Sequence, residues 1–358
     1  MTHPTLGRRA ALALVAAAAV TATACSPTPA TMTGATAEPT ALTSAKELTV
    51  VTHDSFSVPE DLLKKFSTDT GYELKFVAPG DGGALVNQLI LTKDSPLGDV
   101  VFGIDNTFAG RALDEGVLSP YEAKVPAKAS EMKADEAGHL TPIDFGDVCL
   151  NADKNWFAAK NLPIPETLDD LTKPEYKDLL VVTNPASSSP GLAFLAATVG
   201  AKGQDGYLDY WGQLKDNGVK VVKGWTEAYS VEFSGSAGKG PRPLVLSYAT
   251  SPAFEVKDGV APTVALPKTC FRQVEYAGVL KGAKNAAGAR AFIDFLLSNA
   301  VQSSIPDTMY MYPVADVELP AQWVKFAPLS EKPITVSAAD ISANRDTWIK
   351  DWTAKVIG

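Results

Sequence analysis

The chain has 358 residues with 41 acidic against 32 basic side chains, a formal charge of −9. So acidic a surface repels phosphate backbones instead of releasing counterions from them, which excludes nucleic acid as the expected partner and favours a small cation. With 3 cysteines and 3 histidines in all, soft metal ligands are scarce and no metal site or cofactor is expected.

The chain opens with Arg8 and Arg9, an apolar Ala/Leu/Val run, and small residues that end at Cys25. This is the pattern of a lipoprotein signal, so 1–24 is read as a leader and Cys25 as the acylated first residue of the mature chain. Residues 10–24 fall short of the about 20 apolar residues a spanning helix needs. Acyl chains on one residue would instead hold the protein at the outer face of the cell membrane. Gly7-Arg8-Arg9 leaves general and twin-arginine export both open. Loss of Arg8 and Arg9 with the leader takes the formal charge to −11. Residues 25–46, from the lipidated cysteine through a Thr/Ala/Pro-rich stretch almost without charge, read as a flexible tether.

The remaining body is long enough for two lobes of ordinary domain size. Leu48 to Thr52 reads as a strand, 59–68 as a helix, and Leu74 to Ala78 as a second strand running into Gly80-Asp81-Gly82-Gly83. Helical spacing follows over 85–90, then a continuously apolar strand over 99–104. The pattern restarts after a junction at 140–151: a strand over 179–183, the turn Asn184 to Gly191, an apolar helix over 192–199, and strands over 219–222 and 244–247. The chain crosses back over 272–280, and two helices over 286–304 precede Pro306. Repeated strand and helix units imply a layered α/β fold with a mainly parallel sheet. We read 47–145 with 273–358 as the first lobe and 146–272 as the second. Two crossings put a cleft between the lobes, beyond the carboxyl ends of strands, where small ligands bind.

Lys223-Gly224-Trp225-Thr226-Glu227-Ala228-Tyr229, Leu246 to Ala253, and Ile305-Pro306 through Ala315 resemble signature segments of the thiamine-binding lipoproteins and periplasmic proteins of ABC importers. Thr52 to Phe56, Asp99 to Asn106 and Arg345 to Trp352 match in order and spacing, so the resemblance spans 47–358. It implies a two-lobed fold like the type II periplasmic binding proteins: a monomer, not an enzyme, that closes over thiamine or its phosphates and delivers them to a membrane permease. On matching positions it implies aromatic contacts from Trp225, Tyr229, Tyr248 and Tyr310, first-lobe polar contacts from Asp81 and Gly82, and a phosphate-side contact from Ser188. His53 stands where a tyrosine is familiar, Tyr310 where a tryptophan is, and 236–243 is an altered Gly- and Pro-rich loop.

The residues support the same chemistry on their own. Thiamine joins a flat aminopyrimidine to a permanently cationic thiazolium, and a cation over an aromatic face gains roughly 0.5–2 kcal/mol. A buried cation also needs a negative partner; Asp54, Asp81, Asp105 and Glu227 follow strands or sit in turns aimed at the cleft. Serine hydroxyls at a helix start, in Ser187-Ser188-Ser189-Pro190-Gly191, offer an anion site or a simple cap. Cys149 and Cys270 flank the crossings, and an oxidising compartment favours a disulfide between them. A ferric ion held by Tyr310 and Tyr312, or a polyamine, is the alternative cargo on the same scaffold. An enzyme is the more distant rival, since His53 beside Asp54 has no obvious nucleophile nearby.

Overall fold

Short apolar runs flanked by turn residues become eleven strands among the described residues: β1 (Lys46–Thr52), β2 (Tyr72–Val77), β3 (Val100–Asp105), β4 (Leu118–Ser119), β5 (Thr141–Asp153), β6 (Leu180–Thr183), β7 (Lys220–Val222), β8 (Leu244–Tyr248), β9 (Thr263–Ala265), β10 (Phe271–Leu280) and β11 (Tyr312–Pro313). The computed structural model describes residues 46–358. The leader, the acylation at Cys25 and the tether lie outside the described residues, except that Lys46, counted with the tether, already opens β1. Among the described residues no helix is long and apolar enough to cross a membrane.

The strands form one curled sheet, eight of them in the order β2-β1-β3-β10-β5-β8-β6-β7, with β4 paired to β10 and β9 and β11 paired to β5. Its two wings are parallel, β2-β1-β3 on one side and β8-β6-β7 on the other. Its middle is antiparallel, because β10 pairs against both β3 and β5, and β5 pairs against β8. The expectation of a mainly parallel sheet therefore holds only in the wings. The reason is the chain path: β5 leaves the first wing for the second and β10 returns, so the two crossing strands must run in opposite directions. All 13 residues of β5 are buried, as a strand covered on both faces requires.

Helices pack where the spacing places them, at Glu60–Thr70 and Gly82–Leu91 in the first wing and Ser189–Lys202 in the second. Pro306 does not end the last helix of its pair but sits in the final turn of Asn299–Thr308, at the loss of one intrahelical bond, since proline has no N–H to donate. The closing helix Ala338–Trp352 touches both sides of the molecule. Its Trp352 meets Trp211 edge-on at 5.4 Å, Trp348 Nε1 donates to Gln204 at 2.7 Å, and the Arg345 guanidinium lies 4.7 Å from the centre of the Phe108 ring.

The crossing strands are stapled. Cys149 in β5 and Cys270, one residue before β10, are both buried and disulfide-bonded, with Cα atoms 4.2 Å apart. The bond closes a loop of 121 residues that includes the whole second wing, so its removal is expected to cost about 2–5 kcal/mol of stability. Urea unfolding of a Cys149→Ser/Cys270→Ser double variant checks this: a lower midpoint is expected, and an unchanged midpoint contradicts the assigned role.

Candidate ligand-binding cleft

A cavity of about 270 Å³ opens between the two wings. Its walls come from chain that follows the parallel strands: His53, Asp54 and Ser55 after β1, Asp81 after β2, Ser189 and Pro190 after β6, Trp225 and Tyr229 after β7. Tyr248, Thr250, Ser251 and Phe254 at and after β8, Glu275 in β10, and Thr308 to Met311 complete it. Among the described residues that line it there is no lysine or arginine.

Asp81 ties the two sides together. Its Oδ1 accepts from Gly82 N at 2.6 Å and from Ser189 N at 3.0 Å, and its Oδ2 accepts from Trp225 N at 3.0 Å. Burial raises its pKa, while those donors oppose the rise. One carboxylate thus takes the free N–H groups at two helix starts on the opposite wing, the position helix dipoles favour for an anion. Gly82 makes this approach possible, because a Cβ there would stand 2.0 Å from Ser189 Oγ. Ala84 N adds a bond to Ser187 O at 3.1 Å.

The aromatic wall is fixed behind the cavity. Trp225 and Tyr229 are stacked at 5.1 Å with planes 12° apart. Trp225 Nε1 donates to Ser247 Oγ at 2.8 Å and the Tyr229 hydroxyl to Glu255 at 3.1 Å. Burial, reinforced by Glu255, pushes the Tyr229 phenol far up, so it stays a neutral donor. Tyr310 adopts a left-handed backbone, φ +55°, which its bulky side chain disfavours; its ring meets Phe254 of the other wing edge-on at 4.6 Å.

At the floor, His53 Nδ1 accepts from Ser55 N at 3.1 Å and Nε2 faces Glu275 Oε1 at 3.5 Å. Gly103, with φ +100°, makes room for the ring, since a Cβ there would lie 2.2 Å from His53 Cδ2. Gln273 Nε2 donates to the same Glu275 oxygen at 3.3 Å, and the Tyr248 hydroxyl reaches Gln273 at 3.5 Å.

The structure therefore brings Trp225, Tyr229, Tyr248, Tyr310, Asp81, His53 and Asp54 to one cavity. Four expected contacts do not line it. Ser188 is buried and its hydroxyl bonds Thr183 Oγ1 at 2.9 Å, because it is the residue just before the helix; the cavity residue is Ser189, whose Oγ is buried with no partner among the described residues. Asp105 is buried and folds back to cap Thr107 N at 2.6 Å and Phe108 N at 3.2 Å. Gly82 is covered by Ser189. Glu227 is exposed and accepts from Lys223 N at 3.2 Å. Tyr312 also faces away, its hydroxyl donating to Ala327 O at 2.5 Å. Sequence reading missed Glu275; the available signal was Gln273 and Glu275, two polar residues at alternate positions, hence on one face, of a strand that runs on into the apolar Ala277 to Leu280.

Replacing Asp81 with alanine leaves the three amides without their acceptor, at a cost of about 1–3 kcal/mol for each donor that stays buried. The variant is expected to have a larger radius of gyration by small-angle scattering than the parent chain. An unchanged radius contradicts the bridging role.

Comparison with known proteins agrees with this architecture. A family model described as bacterial extracellular solute-binding protein matches residues 95–340. The chain is 34% identical over 321 residues to the thiamine-binding periplasmic protein of Escherichia coli (strain K12), covering 86% of this chain and 93% of the relative. A solved periplasmic thiamin binding protein superposes with a TM-score of 0.76 and 31% identity, covering 87% of this chain and 96% of that one. A ferric binding protein from Campylobacter jejuni shares the fold alone, with a TM-score of 0.68 and 18% identity over 86% of this chain and 99% of that one. The fold is the two-lobed type II periplasmic-binding-protein architecture, and the chain belongs to the family of bacterial extracellular solute-binding proteins.

Proposed function

We propose that this chain captures thiamine or a thiamine phosphate between its lobes, outside the cytoplasm, and delivers it to the permease of an ABC importer as a monomeric, non-catalytic carrier. The observation that carries the reading is the cavity itself: a Trp225–Tyr229 stack, Tyr248, Tyr310 and the acids Asp54, Asp81 and Glu275 surround a space free of lysine and arginine. Flat rings joined to a permanent cation match that lining, through stacking and cation–π attraction. The names of the relatives support the same ligand. The proposed lobes are 47–145 with 273–358, and 146–272, with the closing helix strapping the two. A ferric cargo is less well supported, since Tyr312 is turned away from Tyr310 and no group of three His, Cys, Asp or Glu among the described residues is placed for a metal.

Isothermal titration tests the reading. Thiamine is expected to bind one to one, and Trp225→Ala to weaken binding by about ten- to a thousandfold, as loss of a buried aromatic anchor does. The rank order of thiamine, its monophosphate and its diphosphate reports whether the unpartnered Ser189 hydroxyl meets a phosphate. No heat from any of the three contradicts the proposal. We also propose that Cys25 carries the lipid anchor. Labelling with radioactive palmitate is expected to mark the parent chain and not Cys25→Ser; equal labelling of both contradicts it.

A further inference from the structure

Glu275 lies in β10 directly opposite Asp144 of β5, at the point where the two crossing strands change register. Both side chains are buried. Two ionised carboxylates side by side away from water repel strongly, so one of them holds a proton. The surroundings decide which. Asp144 has no hydrogen-bond donor to either oxygen among the described residues; burial pushes its pKa well above the ordinary carboxylate range, and the charge on Glu275 adds to the rise. Burial acts the same way on Glu275, but Gln273 Nε2 donates to its Oε1 at 3.3 Å and His53 Nε2 faces the same oxygen at 3.5 Å, and donors so placed favour its ionised form. Burial works to lower the pKa of His53 and the charges of Glu275, Asp81 and Asp54 more than offset it, but the Ser55 N–H donated into Nδ1 needs that nitrogen bare, so the ring is neutral with its one proton on Nε2, aimed at Glu275. One negative charge therefore remains at the cavity floor, on Glu275.

The other acids near the cleft are placed differently. Asp81 takes three backbone N–H groups, Asp54 is exposed at the rim, and Asp105, whose Oδ1 caps Thr107 and Phe108 while Oδ2 has no partner among the described residues, does not line the cavity. A carboxylate offers about four lone-pair sites, and on Glu275 it is Oε1 that is engaged, by Gln273 Nε2 at 3.3 Å with His53 Nε2 at 3.5 Å, which leaves capacity for a ligand. We propose that Glu275 is the counter-anion of the bound ligand and sets the preference of this site for a cationic ring over a neutral one of the same shape. The inference rests on the thiamine reading and adds to it the residue that recognises charge.

The test compares thiamine with 3-deazathiamine, whose ring carries carbon in place of the cationic nitrogen, by titration of the mature chain. The parent chain is expected to favour thiamine by at least about tenfold. Glu275→Gln is expected to lose at least about thirtyfold in affinity for thiamine while binding the neutral analogue within about threefold of the parent, which also shows that the variant folds. Glu275→Asp, which keeps the charge but withdraws it by one methylene, should give a smaller loss with the same selectivity, and covers the case in which the glutamine variant does not fold. Equal loss for both ligands, as a bond to the aminopyrimidine would produce, overturns the assignment. So does a selective loss in Asp54→Asn in place of Glu275→Gln. Failure of the parent chain to bind either ligand refutes the thiamine reading instead.

Discussion

The carboxylate of Asp81 bonds both sides of the cleft at once, and the placement of Ser189 and Trp225 in the site depends on it. It reaches from a turn on one wing to backbone amides that open two helices on the other, at 3.0 Å in each case. Those amides stand beside Ser189 and Trp225, so the same contacts that close the molecule also place the first turn of a helix and the stacking indole. Backbone donors at helix starts are geometrically rigid, which makes the closed arrangement specific. Gly82 contributes by absence: any side chain there would meet Ser189 first.

The second constraint is charge. Asp144, Glu275 and Gln273 are buried in the central strands of the sheet, with no water to solvate them. Gln273 donates to Glu275, while Asp144 has no hydrogen-bond partner among the described residues. A cluster of this kind costs stability compared with apolar residues, and its position at the floor of a cleft fits ligand recognition better than packing. The disulfide between Cys149 and Cys270 holds the same two strands together at their outer end, which fixes the cluster without bridging the mouth of the cavity.

Much of the fold was legible because apolar runs of the right length leave few alternatives. Val100 to Ile104 and Leu192 to Val199 are covered on all sides and read as such. The direction of the central pairing was not legible, since it depends on where the chain travels between strands and not on the composition of either strand. Within the site, the aromatics were readable as a set because the segments that carry Trp225, Tyr229, Tyr248 and Tyr310 resemble those of a known family, although Tyr248 ends a strand and Tyr310 follows a helix. The serines were misread by one residue, as three in succession carry no periodicity to say which caps the helix and which faces the cavity. Asp105 looked equivalent to Asp81, both following strands, yet its chain turns tightly enough for the carboxylate to cap Thr107. Glu275 was hidden inside a strand noticed only as a crossing.

The most direct test of the account is a crystal structure of the chain grown with saturating thiamine. The account predicts one molecule between the lobes, its rings against Trp225, Tyr248 and Tyr310, with Asp81 still bonded to the Ser189 and Trp225 amides. An empty cleft, or thiamine bound elsewhere on the molecule, would contradict it.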